Sequence, residues 1–253
     1  MATERLPIEF LHHPHRESLI RAIANVLASP IAIESLAQIV DGLPLASVTL
    51  DRYQSGSICS GHPLLEEHQE LCPGVAEEAR QLCCDFHVGS LLLPLGVGIF
   101  PSPPGIANRP LTIFSLQLLH DYESVPVSSS GRSARLLIEL VARSVHQIAA
   151  WLYRQDLSRH KDDALGMWRP SGVAGRVYPA TFPASLFCHP WYPDHDQYPG
   201  GIADSVGYWA EARILGGVIL FDRRDPELVS EAEVCSSPRP HLSLDRHYCK
   251  IMC

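Results

Sequence analysis

The densest run of side chains able to do chemistry lies between His189 and Arg213. It holds His189 and His195, the carboxylates Asp194, Asp196, Asp204 and Glu211, and the aromatics Trp191, Tyr192, Tyr198, Tyr208 and Trp209, set among Pro/Gly turns. Imidazole titrates near neutral pH and ligates metals, and Asp194 and Asp196 flank His195 on either side. We read His195, Asp196 and Glu211 as an acid/base set, with His195 as base or metal ligand, Asp196 as its partner and Glu211 as a second carboxylate. His189, His195 and Asp196 are the set that could hold a divalent metal, and the spacing names no other cofactor. Asp204, Tyr208 and Glu211 recur at i, i+4 and i+7, so they line one stripe of a helix. Two other readings fit the same residues. In one, Asp204 is a helix cap, Glu211 pairs with an arginine, and the aromatics wedge the loop in place. In the other, Trp191, Tyr192 and Tyr198 form an exposed anchor for a protein partner.

Other clusters carry less. His62 and Glu66 would share a helix face, but Pro63 suits the first helical position and Glu66 and Glu67 the first turn, so the segment reads as an acidic helix start. Cys72, Cys83, Cys84 and His87 lack the paired Cys-x-x-Cys spacing of a zinc site, and cysteine is among the most often buried residues. Gly56-Ser-Ile-Cys-Ser-Gly61 and Gly131-Arg-Ser-Ala-Arg135 do not fit a nucleophile elbow. There is no Walker loop and no dinucleotide fingerprint.

The elements that must position these residues follow from periodicity. Apolar residues at Leu19, Ile20, Ile23, Val26 and Leu27 predict a helix over 15–28. Ser29-Pro30 opens a second helix, which Gly42 closes after Asp41. Further helices are expected over 74–86, 132–159 and 204–213, the fourth being the clearest amphipathic stretch. Leu45 to Leu50 looks like a short strand. Buried strands are expected near 90–100, 111–119, 184–188 and 216–221. His160 to Phe182 reads as a polar linker. The expected class is therefore α+β, a single domain over 1–225 with a poorly ordered tail over 226–253.

Composition bounds the function. The 253 residues are 46% hydrophobic and 19% charged, enough apolar material for a core. A formal charge of −8 argues against nucleic acid and anionic membrane as partners. Val88 to Ala107 carries no charge, but four prolines and four glycines make it strand and loop, not a membrane helix. With no basic, apolar leader at the N-terminus, the expected location is cytoplasmic and the eight cysteines are expected as thiols. A soluble small-molecule enzyme or ligand-binding protein, with its site in the 189–222 unit, is the favoured function; a non-catalytic interaction module is the alternative.

The stretch from Leu186 to Arg223, including His-Pro-Trp-Tyr-Pro-Asp-His-Asp-Gln-Tyr-Pro-Gly-Gly, resembles a segment recurrent in an uncharacterised group of filamentous-fungal proteins. The resemblance covers about 38 residues and implies a fungal origin, in keeping with 18 arginines against two lysines. It carries no activity, cofactor or site residue. The tail after Pro226 departs from it.

Overall fold

The computed structural model describes residues 5–8, 11–52, 62–86, 92–94, 114–127, 130–169, 184–189, 192, 194–221 and 249–252. Among them helix dominates, which overturns the α+β expectation. The helices are α1 (His13–Leu27), α2 (Pro30–Asp41), α3 (Ala46–Arg52), α4 (Leu64–Glu67), α5 (Val75–Asp85), α6 (Phe114–Ser124), α7 (Ser130–Arg154) and α8 (Ile202–Leu215). The extended segments pair as two short antiparallel ladders: β1 (Arg5–Pro7) with β2 (Leu92–Pro94), and β3 (Val218–Phe221) with β4 (Cys249–Met252). Neither is wide enough to make a layer that helices could cover.

Each misread strand has a physical reason. Leu45, Ala46, Val48 and Thr49 are buried and Leu50 is exposed, the spacing of a helix face, and the Thr49 hydroxyl donates back to the Leu45 carbonyl at 3.1 Å. The run begun at 111 enters α6, where Leu118, Leu119 and Tyr122 are buried at helical intervals that extend, with Val125 just past the helix, beyond the apolar run itself. The 184–188 segment is a chain of bends that inserts Phe187 against Trp209, ring centroids 4.8 Å apart. Of the 90–100 run only Leu92–Pro94 is described, as β2, and of the 216–221 run Val218–Phe221 is β3, with Gly216 the left-handed cap of α8. The expected tail lies largely outside the described residues, apart from β4.

The α2 helix sits at the centre. Leu36, Ala37, Gln38, Ile39, Val40 and Asp41 are all buried, so it is covered on nearly every side, as an all-round apolar helix must be. Around it pack α1, α5, α7 and α8, with α7 and α8 most extensively apposed. Their core includes Leu19, Ile23, Leu140, Ile148, Phe187 and Trp209. Each such side chain stabilises the fold by about 1.5–3 kcal/mol on leaving water. No single helix among the described residues is long and apolar enough to cross a membrane.

Caps bound α2 at both ends, and a turn after α7 brings the chain back to the C-terminal end of α2. The Ser29 hydroxyl caps α2 by accepting the Ala32 N–H at 3.3 Å, and Gly42 ends the helix in a left-handed conformation, φ +97°. The α7 helix stops at Arg154, five residues short of the expected end, and Asp156 adopts φ +54°. Residues 155–169 therefore turn back onto the end of α2. Of the expected 160–182 linker, residues 160–169 belong to this packed loop and 170–182 lie outside the described residues; the Arg159 N–H donates to the Asp41 carbonyl at 2.9 Å.

Candidate metal centre

The 189–222 unit brings its polar residues together only in part. His195 and Asp196 lie on a single 3₁₀ turn, His195–Gln197, with Nε2 and Oδ1 3.2 Å apart, and the Asp196 side chain is 92% exposed. Glu211 faces inward from α8, where its Oε1 accepts the Ile219 N–H at 2.8 Å. No hydrogen bond or ion pair among the described residues joins His195 or Asp196 to Glu211. His189 is buried against Tyr192, ring centroids 5.2 Å apart. Tyr192 and Tyr198 are buried too, packed on Tyr208, so neither offers an exposed anchor; Trp191 lies outside the described residues.

The stripe of Asp204, Tyr208 and Glu211 does converge, on a residue that sequence reading passed over. His146 of α7 lies 3.8 Å from Asp204 Oδ1, 3.7 Å from Glu211 Oε2, and edge-on to the Tyr208 ring at 4.5 Å. At those lengths the contacts are ionic rather than hydrogen bonds. Burial works against a charged imidazole, but the two carboxylates outweigh it and raise His146 to about 9. Burial opposes ionisation of Asp204 as well, and His146, the Gly200 N–H and Arg154 together hold it below the usual carboxylate range. Gly207 makes room for the ring, since a Cβ there would come within 2.6 Å of it. The cluster is an ion-paired bolt between α7 and α8.

The arrangement with metal-site geometry is elsewhere. Asp41 ends α2, His68 follows α4, Cys72 precedes α5, and His160 sits in the loop after α7. His68 Nε2 lies 3.1 Å from His160 Nε2 and 3.3 Å from Asp41 Oδ2; His160 Nε2 lies 3.7 Å from Asp41 Oδ1 and 3.4 Å from Cys72 Sγ. Four ligands at zinc–nitrogen and zinc–oxygen lengths stand about 3.3 Å from one another along a tetrahedral edge. Asp41, His68 and His160 are buried, and one donor atom from each lies within 4.8 Å of the others.

Proton placement leaves lone pairs facing one another. His160 Nδ1 is 2.5 Å from Asp163 Oδ2, and Asp163 Oδ1 accepts the Gly166 N–H at 2.8 Å. The His160 proton therefore belongs on Nδ1, which leaves an Nε2 lone pair aimed at His68 and Asp41. A carboxylate behind a histidine is the usual support for a metal ligand. Asp41 Oδ1 is buried with no hydrogen-bond partner. If His68 donates its Nε2 proton inward, one donor faces two acceptors and that oxygen stays unsatisfied; a cation would satisfy the oxygen and both Nε2 atoms, with the His68 proton moved to Nδ1, a buried atom that has no partner in either case. Burial alone would raise Asp41, but hydrogen bonds from His68 and from the Cys72 N–H and thiol hold its carboxyl below the usual range. Burial and Asp41 push the Cys72 thiol up, so a metal would have to displace its proton.

Two glycines let the chain close here. A Cβ on Gly42 would stand 1.8 Å from Ser158 Oγ, and one on Gly166 would stand 1.9 Å from the His160 carbonyl oxygen. In sequence, His68 and Cys72 lack the paired spacing of a zinc site. Their four-residue separation is a signal, but the partners lie far off: His160 is 92 residues from His68. Comparison with models of known families, with curated proteins and with solved structures finds no match.

Proposed function

We propose that this chain is a zinc protein whose ion is held by Asp41, His68, Cys72 and His160. The observation that carries the reading is the convergence of the His68 and His160 Nε2 atoms on a buried Asp41 carboxylate at tetrahedral-edge spacing. A mixed set of imidazole, thiolate and carboxylate suits zinc among the common divalent ions. Asp41, His68 and His160 are the compact set, and Cys72, 3.4 Å from His160 Nε2, would close the coordination sphere as the fourth donor. The donors come from three stretches of chain, so the role is architectural: the ion would tie the end of α2 to the 68–72 turn and to the 155–169 loop.

Metal analysis of the purified full chain is the test. About one zinc per chain is expected, lost in Asp41→Ala and His160→Ala and kept in His195→Ala. A protein that neither carries zinc nor takes it up when supplied, or a His160→Ala variant with undiminished content, overturns the reading.

The small-molecule function expected from sequence rests on His195, Asp196 and Glu211, and none of these lines the cleft beside this centre, to which the 189–222 unit contributes Gly200, Ile202 and Ala203. The protein-anchor alternative has little support, given the burial of Tyr192 and Tyr198.

A further inference from the structure

A cleft of about 550 Å³ opens between the 153–169 stretch, the end of α2, the 184–186 bends and the start of α8. That volume is in the range of small-molecule sites. Much of its wall is apolar, from Ile39, Leu43, Leu157, Leu186 and Ile202. The charged groups on it are engaged. Lys161 pairs with Asp156, and Arg154 stands 3.7 Å from Asp204. His160 Nδ1 meets Asp163 Oδ2 at 2.5 Å, and the Arg169 guanidinium donates to the Trp168 carbonyl at 2.7 Å. The hydroxyls are engaged too. Tyr153 bonds with Ser185, and Ser158 donates to the Asp41 carbonyl at 3.4 Å and accepts the His160 N–H at 3.2 Å. A charged guest would have to break one of these pairs or lie without a counter-ion, and the apolar wall would not solvate it.

One lining side chain keeps a donor in hand. His62 is only 2% exposed, its ring packed on Trp168 with centroids 4.5 Å apart. Its Nδ1 accepts the Leu64 N–H at 3.1 Å. Burial and then the charge of Arg169 push its pKa down, which keeps the ring neutral. A neutral ring whose Nδ1 accepts carries its proton on Nε2. No group among the described residues accepts that proton, and Nε2 is not one of the buried polar atoms sealed from solvent without a partner. The sliver of the ring that remains accessible therefore includes a donor on the cleft. A nearly buried donor with no protein acceptor is relieved by an acceptor on a ligand.

We propose that this cleft binds a small uncharged molecule with a carbonyl oxygen on an apolar body, a ketone, ester or amide, whose oxygen accepts from His62 Nε2–H while the body lies along the apolar wall. One directional donor in a largely apolar hollow is how small-molecule sites fix orientation. The inference goes beyond the zinc reading and does not rest on it, since no ion enters the argument.

Three probes built on one ring test it: acetophenone has the carbonyl, toluene lacks it, and benzoate puts a charge in its place. With the full chain labelled with ¹⁵N in its imidazoles, acetophenone should bind saturably and move the His62 Nε2 resonance. Toluene and benzoate should bind about tenfold more weakly or worse, the loss of one hydrogen bond. His62→Asn removes the Nε2 donor alone, because the Asn amide oxygen can still accept the Leu64 N–H; acetophenone affinity should fall about tenfold at an unchanged melting temperature. Acetophenone held no more tightly than toluene or benzoate, or held undiminished by a folded His62→Asn chain, overturns the proposal. Should that variant not fold, the parent decides: no saturation, or a His62 Nε2 resonance unmoved at saturating acetophenone, overturns it as well. Zinc content measured on the same preparation scores the metal reading separately, so either can fail alone.

Discussion

At the scale of single residues the centre depends on atoms that are absent as much as on donors that are present. Gly42 is required twice, by its positive φ and by the approach of Ser158 to its α-carbon. Gly42→Ala is expected to cost about 2 kcal/mol or more, the strain of a left-handed alanine plus displacement of the 155–169 loop. Urea unfolding measures the cost, and zinc content should fall with it, because His160 rides on that loop. A variant as stable and as metal-loaded as the parent would mean that the loop is not held where the structure has it. Gly207 plays the same part for the other cluster, admitting the His146 ring between α7 and α8.

At the scale of elements, α7 and α8 are held by a charge that has a pH window. His146 is raised from the ordinary imidazole value of 6.5 to about 9, so the folded state favours its protonated form. That contribution is whole below the unfolded value and is lost as the pH rises through about 9. Folding should therefore weaken between roughly pH 6.5 and 9 by up to about 3 kcal/mol, and His146→Gln should flatten that slope in thermal melts taken across the range. Equal slopes in parent and variant would remove His146 as the cause. How legible these elements are in sequence depends on punctuation. Helix α1 announces itself through apolar spacing, α2 through the Pro30 and Gly42 signals, α5 through Pro73 and the first-turn Glu77 and Glu78, α7 through its long stripe and α8 through the shorter stripe of Asp204, Tyr208 and Glu211. α3 and α6 stay hidden, because in short apolar runs such as Leu45–Leu50 strand and helix patterns coincide until burial of Val48 and Thr49, or of Tyr122, decides. The site is less legible still. Asp204, Tyr208 and Glu211 do share one stripe, as their spacing suggests, but their target, His146, sits on another helix. Asp41 and His160 look in sequence like a helix end and the start of a linker.

At the scale of the molecule, the proposed ion would tie the 155–169 loop to the end of α2. The end of α2 belongs to the core, whereas the 155–169 loop is held by Leu157, packed on the core, and by polar contacts, among them the Arg159 amide on the Asp41 carbonyl and the Arg159 ion pair with Glu78 of α5 at 2.5 Å. Chelation at neutral pH should lower the melting temperature, restored by zinc, with the 155–169 amides losing hydrogen-exchange protection before those of α2. Uniform loss of protection would instead mean that the ion supports the core directly. The order of the donors also bears on biosynthesis. Asp41, His68 and Cys72 leave the ribosome early, and His160 comes 88 residues after Cys72, about 4–18 s at ordinary elongation rates. A nascent chain thus displays three ligands and no fourth for that interval, able to capture an ion but not to enclose it. Whichever metal is at hand while translation proceeds competes for a half-built cage, so the fidelity of loading would be decided before the polypeptide is finished.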